Sequence, residues 1–233
     1  MLTVLYEDNH CLAVCKPARL LTMGDQTDDE TLVEQARHYL KTKYQKPGNV
    51  FVGVVHRLDR PVSGVVLLAR TSKGAARLSE QFREGTVTKT YTALVTGEPL
   101  SEPVTWHDWL LKDASTNRVR CVKAGTVGAR ESSLECRPLG SVSGGRVNGG
   151  MVGGGRVRGL QRVEVRPITG RSHQIRVQLS ARGWPIAGDS KYGSPVPFRP
   201  GCIALHARRL EVQHPTRNEP LILECPEPAD WPR

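Results

Sequence analysis

Apolar and polar positions alternate over residues 2–16 and predict a β-hairpin: LTVLY, a turn at Glu7, Asp8 and Asn9, then HCLAVC closed by Lys16 and Pro17. A polar stretch follows as far as Asp29. Thr31 and Glu34 then stand at capping-box spacing, and Leu32, Val33, Ala36, Tyr39, Leu40 and Tyr44 recur at helical intervals, predicting a helix over 31–44 with one buried face. Residues 49–55 read as a strand and VVLLAR (65–70) as a buried one. A second helix over 72–84 places Ala75, Leu78 and Phe82 on one side and stops at Gly85. Strands are predicted over 87–96, 104–111, 118–122, 131–137 and 160–167, and a third helix over 172–182 ends at Gly183. Two more strands follow at 203–210 and 221–225. Many strands with three helices predict an α+β fold built on a mixed, mainly antiparallel sheet.

At 233 residues the chain is long enough for one large domain or two small ones. Hydrophobic residues at 38% and charged residues at 24% indicate a globular protein rather than a collagen-like or disordered one. No apolar run approaches the roughly 18 to 20 residues of a membrane span, and the start lacks a secretory pattern. A cytoplasmic protein that neither enters nor crosses a membrane is expected.

Charge narrows the partner. Thirty-three Lys and Arg against 23 Asp and Glu give +10, which favours a polyanion through counterion release. Over 140–182 there are eight arginines and one acid, Glu164, so the charge reads as a basic patch. Within it, residues 140–159 hold nine glycines and three arginines, Arg146, Arg156 and Arg158. That composition predicts a flexible loop insertion, read either as an RNA-contacting segment or as a neutral insertion. The six cysteines (11, 15, 121, 136, 202 and 225) form no CxxC pair. His10 beside Cys11 lacks the further ligands that zinc requires, so no metal site is expected and free thiols in a reducing cytosol are.

Four segments carry candidate chemistry. In HRLDRPVSGVVLLAR (56–70), Asp59 lies between Arg57 and Arg60 at a break where Pro61 and Gly64 make the backbone irregular. Two flanking cations favour an ionised carboxylate, suited to nucleophilic attack or proton abstraction; a turn aspartate held in surface ion pairs is the competing reading. RPITGRSHQIRVQL (166–179) runs from a strand through Thr169 and Gly170 into a helix, where an anion could bind, with His173 and Arg176 on one face. A basic surface helix is the alternative there. KTYTALV (89–95) places Tyr91 in a strand, and GDSKYG (188–193) reads as a turn.

Taken in this order, the four segments resemble the motifs of the RluA-type RNA pseudouridine synthases. LYEDNHCLAVCKPARLL and IALHARRLEVQHP are similar to that family too, so the resemblance spans most of the chain. It implies a single catalytic domain over 1–233, two sheet-rich halves meeting at a cleft, and isomerisation of uridine in ribosomal or transfer RNA to pseudouridine. It also implies no cofactor and no metal. Asp59 is the catalytic aspartate by this resemblance, Arg176 the arginine that pairs with it, and Tyr91 the tyrosine that stacks on the base. Arg57 matches the residue that enters the RNA stack as the uridine flips out. Arg60, Arg171, His173, Lys191, Arg156 and Arg158 are the further RNA contacts expected. Val62 stands where the family often has threonine. A chain that begins at the first catalytic strand, without the small RNA-binding domain of many relatives, and that acts as a monomer is expected. A non-catalytic RNA-binding or ribosome-assembly factor of the same fold is the alternative. Glycosidase and metal nuclease chemistry fit less well, because acids are scarce near the later motifs.

Overall fold

A computed structural model describes residues 2–24, 28–98, 100–142 and 159–232. The chain packs into two compact units, one of Met1–Thr88 with Ala207–Glu227 and one of Lys89–His206 with Pro228–Arg233.

In the first unit the predicted hairpin forms β1 (Thr3–Glu7) and β2 (Cys11–Lys16), paired antiparallel. Asp8 fixes the turn by accepting the N–H groups of His10 and Cys11 at 2.8 and 2.7 Å. Next come α1 (Leu32–Lys43), β3 (Gly53–Val54), β4 (Ser63–Ala69) and α2 (Ser72–Glu84). Thr31 and Glu34 close the predicted capping box on α1, and Gly85 ends α2 in the left-handed region at φ 75°. Every residue of β4 is buried, as a continuous apolar run requires of a strand covered on both faces. β2 and β3 pair antiparallel with β4.

The unit is completed by β10 (Leu205–Gln213), most of which belongs here and lies beside β4, and by its antiparallel partner β11 (Pro220–Glu224). Gly64, in the HRLDR segment, sits at this approach with φ +125°, and a Cβ there would lie 2.3 Å from the Ala207 carbonyl oxygen. Only glycine fits. On one face Cys11, Ala13, Val65, Leu67, Leu78, Leu210 and Leu223 form a core with Ala75 and Phe82 of α2 packed against it. Leu12, Val14, Val66 and Leu68, at alternate positions, are buried as well.

The second unit is an antiparallel sheet in the order β5 (Thr88–Val95), β9 (Gln161–Pro167), β8 (Arg130–Ser141), β6 (Val104–Asp113), β7 (Arg118–Val122). Register pairs Tyr91 with Val165, and Cys136 with Val165 from the other side. Helix α3 (Gln174–Ser180) presents Val177 to a cluster with Leu110 and Val119. The α+β class with a mixed, mainly antiparallel sheet and three helices stands.

Three expectations are corrected. Of the strand predicted over 49–55, only Gly53–Val54 pairs, and Phe51 is half exposed. The cysteines are not all free: Cys15 and Cys225 are disulfide-bonded across 210 residues of sequence, their Cα atoms 5.9 Å apart. β2 carries one sulfur and the residue after β11 the other, so both belong to the first unit. The third correction concerns the basic patch. In the second unit, Arg166 and Arg137 each meet the buried carboxylate of Glu164 at 3.1 Å. Arg182 pairs with Asp108 at 3.0 Å, and Arg162 donates to the Pro232 carbonyl at 2.6 Å. Glu164, the one acid within the patch, serves two arginines, while Asp108 and the Pro232 carbonyl, distant in sequence, supply partners that a local charge count does not see. Of the glycine- and arginine-rich loop expected over 140–159, Gly140 and Ser141 belong to β8, and residues 143–158, Arg156 and Arg158 among them, lie outside the described residues.

Candidate active site

Asp59 lies in the irregular loop between β3 and β4, half-buried, with Arg57 and Arg60 exposed on either side. The loop lacks regular pairing, and its backbone is held by the segment that follows β2. Leu58 gives its N–H to the Thr22 hydroxyl at 3.2 Å and accepts that hydroxyl's proton on its carbonyl at 2.9 Å. The Arg60 carbonyl accepts the Arg19 N–H at 2.7 Å and the Lys16 ammonium at 3.4 Å. The carbonyl of Asp59 itself accepts the Val62 N–H at 3.0 Å. His56, at the head of the motif, accepts the Leu67 N–H on Nε2 at 2.9 Å and stacks on Phe82. The guanidinium of Arg60 meets Asp29 at 2.7 Å and the Arg19 carbonyl at 3.2 Å.

Arg176 and Tyr91 belong to the second unit. Tyr91 is half-buried in β5. Arg176 is buried, which rules out the basic surface helix. Its Nε and Nη2 meet the two carboxylate oxygens of Asp189 at 2.7 and 2.8 Å, a bidentate pair in which both side chains are at least nine-tenths buried. The guanidinium lies 5.0 Å from the Tyr192 ring centroid. Tyr192 in turn bonds His173 Nδ1 at 2.7 Å and accepts the Val119 N–H at 3.0 Å. Thus GDSKYG, read from the sequence as a turn, supports Arg176 and His173 together.

The anion cradle expected at Thr169 and Gly170 is filled from within. Gln174 Oε1 accepts the Thr169 hydroxyl at 2.8 Å and the Arg171 N–H at 2.9 Å, while its Nε2 donates to the Ser133 carbonyl at 2.9 Å. Helix α3 starts only at Gln174, after His173 in the left-handed region at φ 51°. Lys89 reaches the Thr169 carbonyl at 3.4 Å, and burial lowers its pKa. Arg171 is exposed, with Nε on the Glu131 carbonyl at 2.9 Å, and Lys191 donates to the Asn117 carbonyl at 2.6 Å.

A possible metal cluster involves Cys11, though with Asp8 and His214 rather than His10. The Asp8 and His214 donor atoms are engaged. His214 Nδ1 accepts the Arg217 N–H at 3.1 Å, which leaves Nε2 as the protonated nitrogen facing Asp8 at 2.7 Å. Arg217 lies 3.3 Å from the same carboxylate oxygen, and burial first, then the Asp8 charge, pushes the Cys11 thiol up to about 12. A protonated thiol and a neighbouring guanidinium fit a hydrogen-bonded clasp between two turns, not a cation.

Lys16 and Thr22 were given no role from the sequence, and neither was Asp189, although its segment GDSKYG was singled out. A lysine inside an apolar strand and directly before proline was a visible signal for the first. A lone threonine gave none for the second.

The fold is shared with solved pseudouridine synthase domains. Human RNA Pseudouridylate Synthase Domain Containing 1 superposes with a TM-score of 0.73 at 28% identity, over 98% of this chain and 84% of that one. Residues 10–181 match the RNA pseudouridylate synthase family, and the chain belongs to that family. It is 33% identical to the Bacillus subtilis protein named uncharacterized RNA pseudouridine synthase YhcT, over 98% of this chain and 70% of that one. It is 30% identical to the dual-specificity RNA pseudouridine synthase RluA of Yersinia pestis, over 95% and 97%.

Proposed function

We propose that Asp59 is the carboxylate through which this RNA pseudouridine synthase isomerises uridine in ribosomal or transfer RNA. The reaction adds and removes no atoms overall. The bond from ribose C1′ to uracil N1 breaks, the base turns, and a bond from C1′ to C5 forms; N1 gains a proton and C5 loses one. A carboxylate can begin this by attack at C1′ or by removing the C2′ proton, and both start from the ionised form. The single observation that supports Asp59 is its place within the HRLDR segment, inside the matched residues, on a loop whose backbone is hydrogen-bonded on both sides of it.

Tyr91 is the base-stacking residue in this reading and Arg176 the cation that orients the carboxylate. Arg57, exposed beside Asp59, takes the space left by the flipped uridine, offsetting a few kcal/mol of unstacking. Arg60, Arg171, His173 and Lys191 serve the RNA backbone. The reading includes a monomer in the cytoplasm, working as one catalytic domain without metal or cofactor.

The test uses total RNA from cells lacking the gene. Purified protein should create new pseudouridines, mapped by carbodiimide labelling and reverse-transcription stops, while Asp59→Ala creates none. RNA binding without new stops would replace the isomerase reading with that of a binding factor.

A further inference from the structure

Two residues adjoin Asp59 in the chain, and both are bound by one short strap, residues 16–22. On the N-terminal side, the Thr22 hydroxyl both donates to and accepts from the backbone of Leu58. A hydroxyl has one proton and two lone pairs, so it can satisfy the carbonyl and the N–H of a single residue together. On the C-terminal side, Arg60 exchanges bonds with the Arg19 backbone: the Arg19 N–H donates to its carbonyl at 2.7 Å, and its Nε donates to the Arg19 carbonyl at 3.2 Å. Lys16, fully buried, gives its ammonium to the carbonyls of Pro17 at 3.0 Å, Leu20 at 2.7 Å and Arg60 at 3.4 Å, tying strap and loop together.

The strap is itself anchored. Leu32 and Val33 at the start of α1 donate to the carbonyls of Leu21 and Thr22 at 2.8 and 3.3 Å. The first turn of that helix thereby fixes the strap, and the strap fixes the loop. Thr22 and Leu58 are 3% and 6% exposed, so water does not readily replace their mutual bonds.

We propose that Thr22 is a positioning residue for the Asp59 carboxylate, acting through the backbone of Leu58, with Lys16 fixing the other flank through Arg60. The proposal rests on the assignment of Asp59 given above. A displacement of about 1 Å at a reacting group costs on the order of 100-fold in rate. Thr22→Val keeps the shape of the side chain and removes both bonds, whereas Thr22→Ser keeps the hydroxyl.

Single-turnover kinetics on an RNA substrate, with thermal melting alongside, read the outcome. Thr22→Val should lower the rate at saturating RNA roughly 10- to 100-fold while half-saturation moves less than about 2-fold, and Thr22→Ser should recover to within about 3-fold. A wild-type rate in Thr22→Val, an equal loss in Thr22→Ser, or a loss confined to half-saturation overturns the proposal. Amide exchange at Leu58 supplies a readout independent of activity: it should quicken in Thr22→Val and stay slow in Thr22→Ser. Unchanged exchange overturns the proposal even if no RNA is modified. Faster exchange in Thr22→Val, in a protein whose wild type modifies no RNA, would instead remove the Asp59 assignment and leave the strap. If Thr22→Val does not fold, Lys16→Met, which keeps length and removes the donor to Arg60, carries the same kinetic test.

Discussion

Asp189 and Glu7 show how single carboxylates hold this chain together. The bidentate Asp189–Arg176 pair is buried on both sides, so removing Asp189 takes two charge-assisted bonds from a guanidinium held away from water. Asp189→Ala should therefore destabilise the fold by roughly 3–5 kcal/mol in urea unfolding, the usual cost of removing one member of a buried ion pair. Glu7 acts through pH. Burial alone would raise its carboxyl, but hydrogen bonds from Lys43, Tyr44 and Tyr39 outweigh that and bring it down to about 2. Because the folded value lies below that of an unfolded glutamate, the stabilisation is complete above about pH 4.5 and fades as pH falls through 2. Glu7→Gln should lower the melting temperature at pH 7 and flatten its fall between pH 4.5 and 2. A parallel fall in both proteins would mean that other carboxylates dominate.

Among the elements, those with strong local signals were legible: α1 by its capping box and periodicity, α2 by Gly85, and the first hairpin by its turn. What escaped depends on residues far apart in sequence. The segment around Gly53 looked like a full strand because its residues are apolar, yet strand pairing there needs a partner edge that only Ala69 and Leu68 provide. The irregular loop that carries Asp59 was legible through its Pro61 and Gly64, whereas the strap that holds it joins residues 36 to 44 positions apart. The Cys15–Cys225 bond is the extreme case, since no spacing rule links residues 210 apart. A crosslink closing so long a loop restricts the unfolded chain by up to about 5 kcal/mol on the chain-entropy account. The melting temperature of the oxidised protein should fall on adding a thiol reductant, and that of Cys225→Ser should not respond. Equal responses would show that the two sulfurs are unbonded in solution.

At the scale of the whole molecule, +10 is the net charge an RNA meets, but much of it is not on offer. Arg162, Arg166, Arg176 and Arg182 all have partners within the second unit. The described arginines therefore contribute fewer phosphate contacts than their number suggests. Arg146, Arg156 and Arg158, in a segment with no acid, are the complement in sequence: three cations without a local counter-charge. If RNA uses them, each phosphate they neutralise adds about 0.7 to 0.9 to the slope of log affinity against log salt. Deleting residues 143–158 should then reduce that slope by up to about 2 to 3 and weaken binding most at low salt. Modification at saturating RNA should persist, since the residues proposed for catalysis, Asp59, Tyr91 and Arg176, remain. Equal affinities and equal slopes for the deleted and intact chains, measured from low to physiological salt, would mean that the segment does not touch RNA and that binding rests on the two folded units.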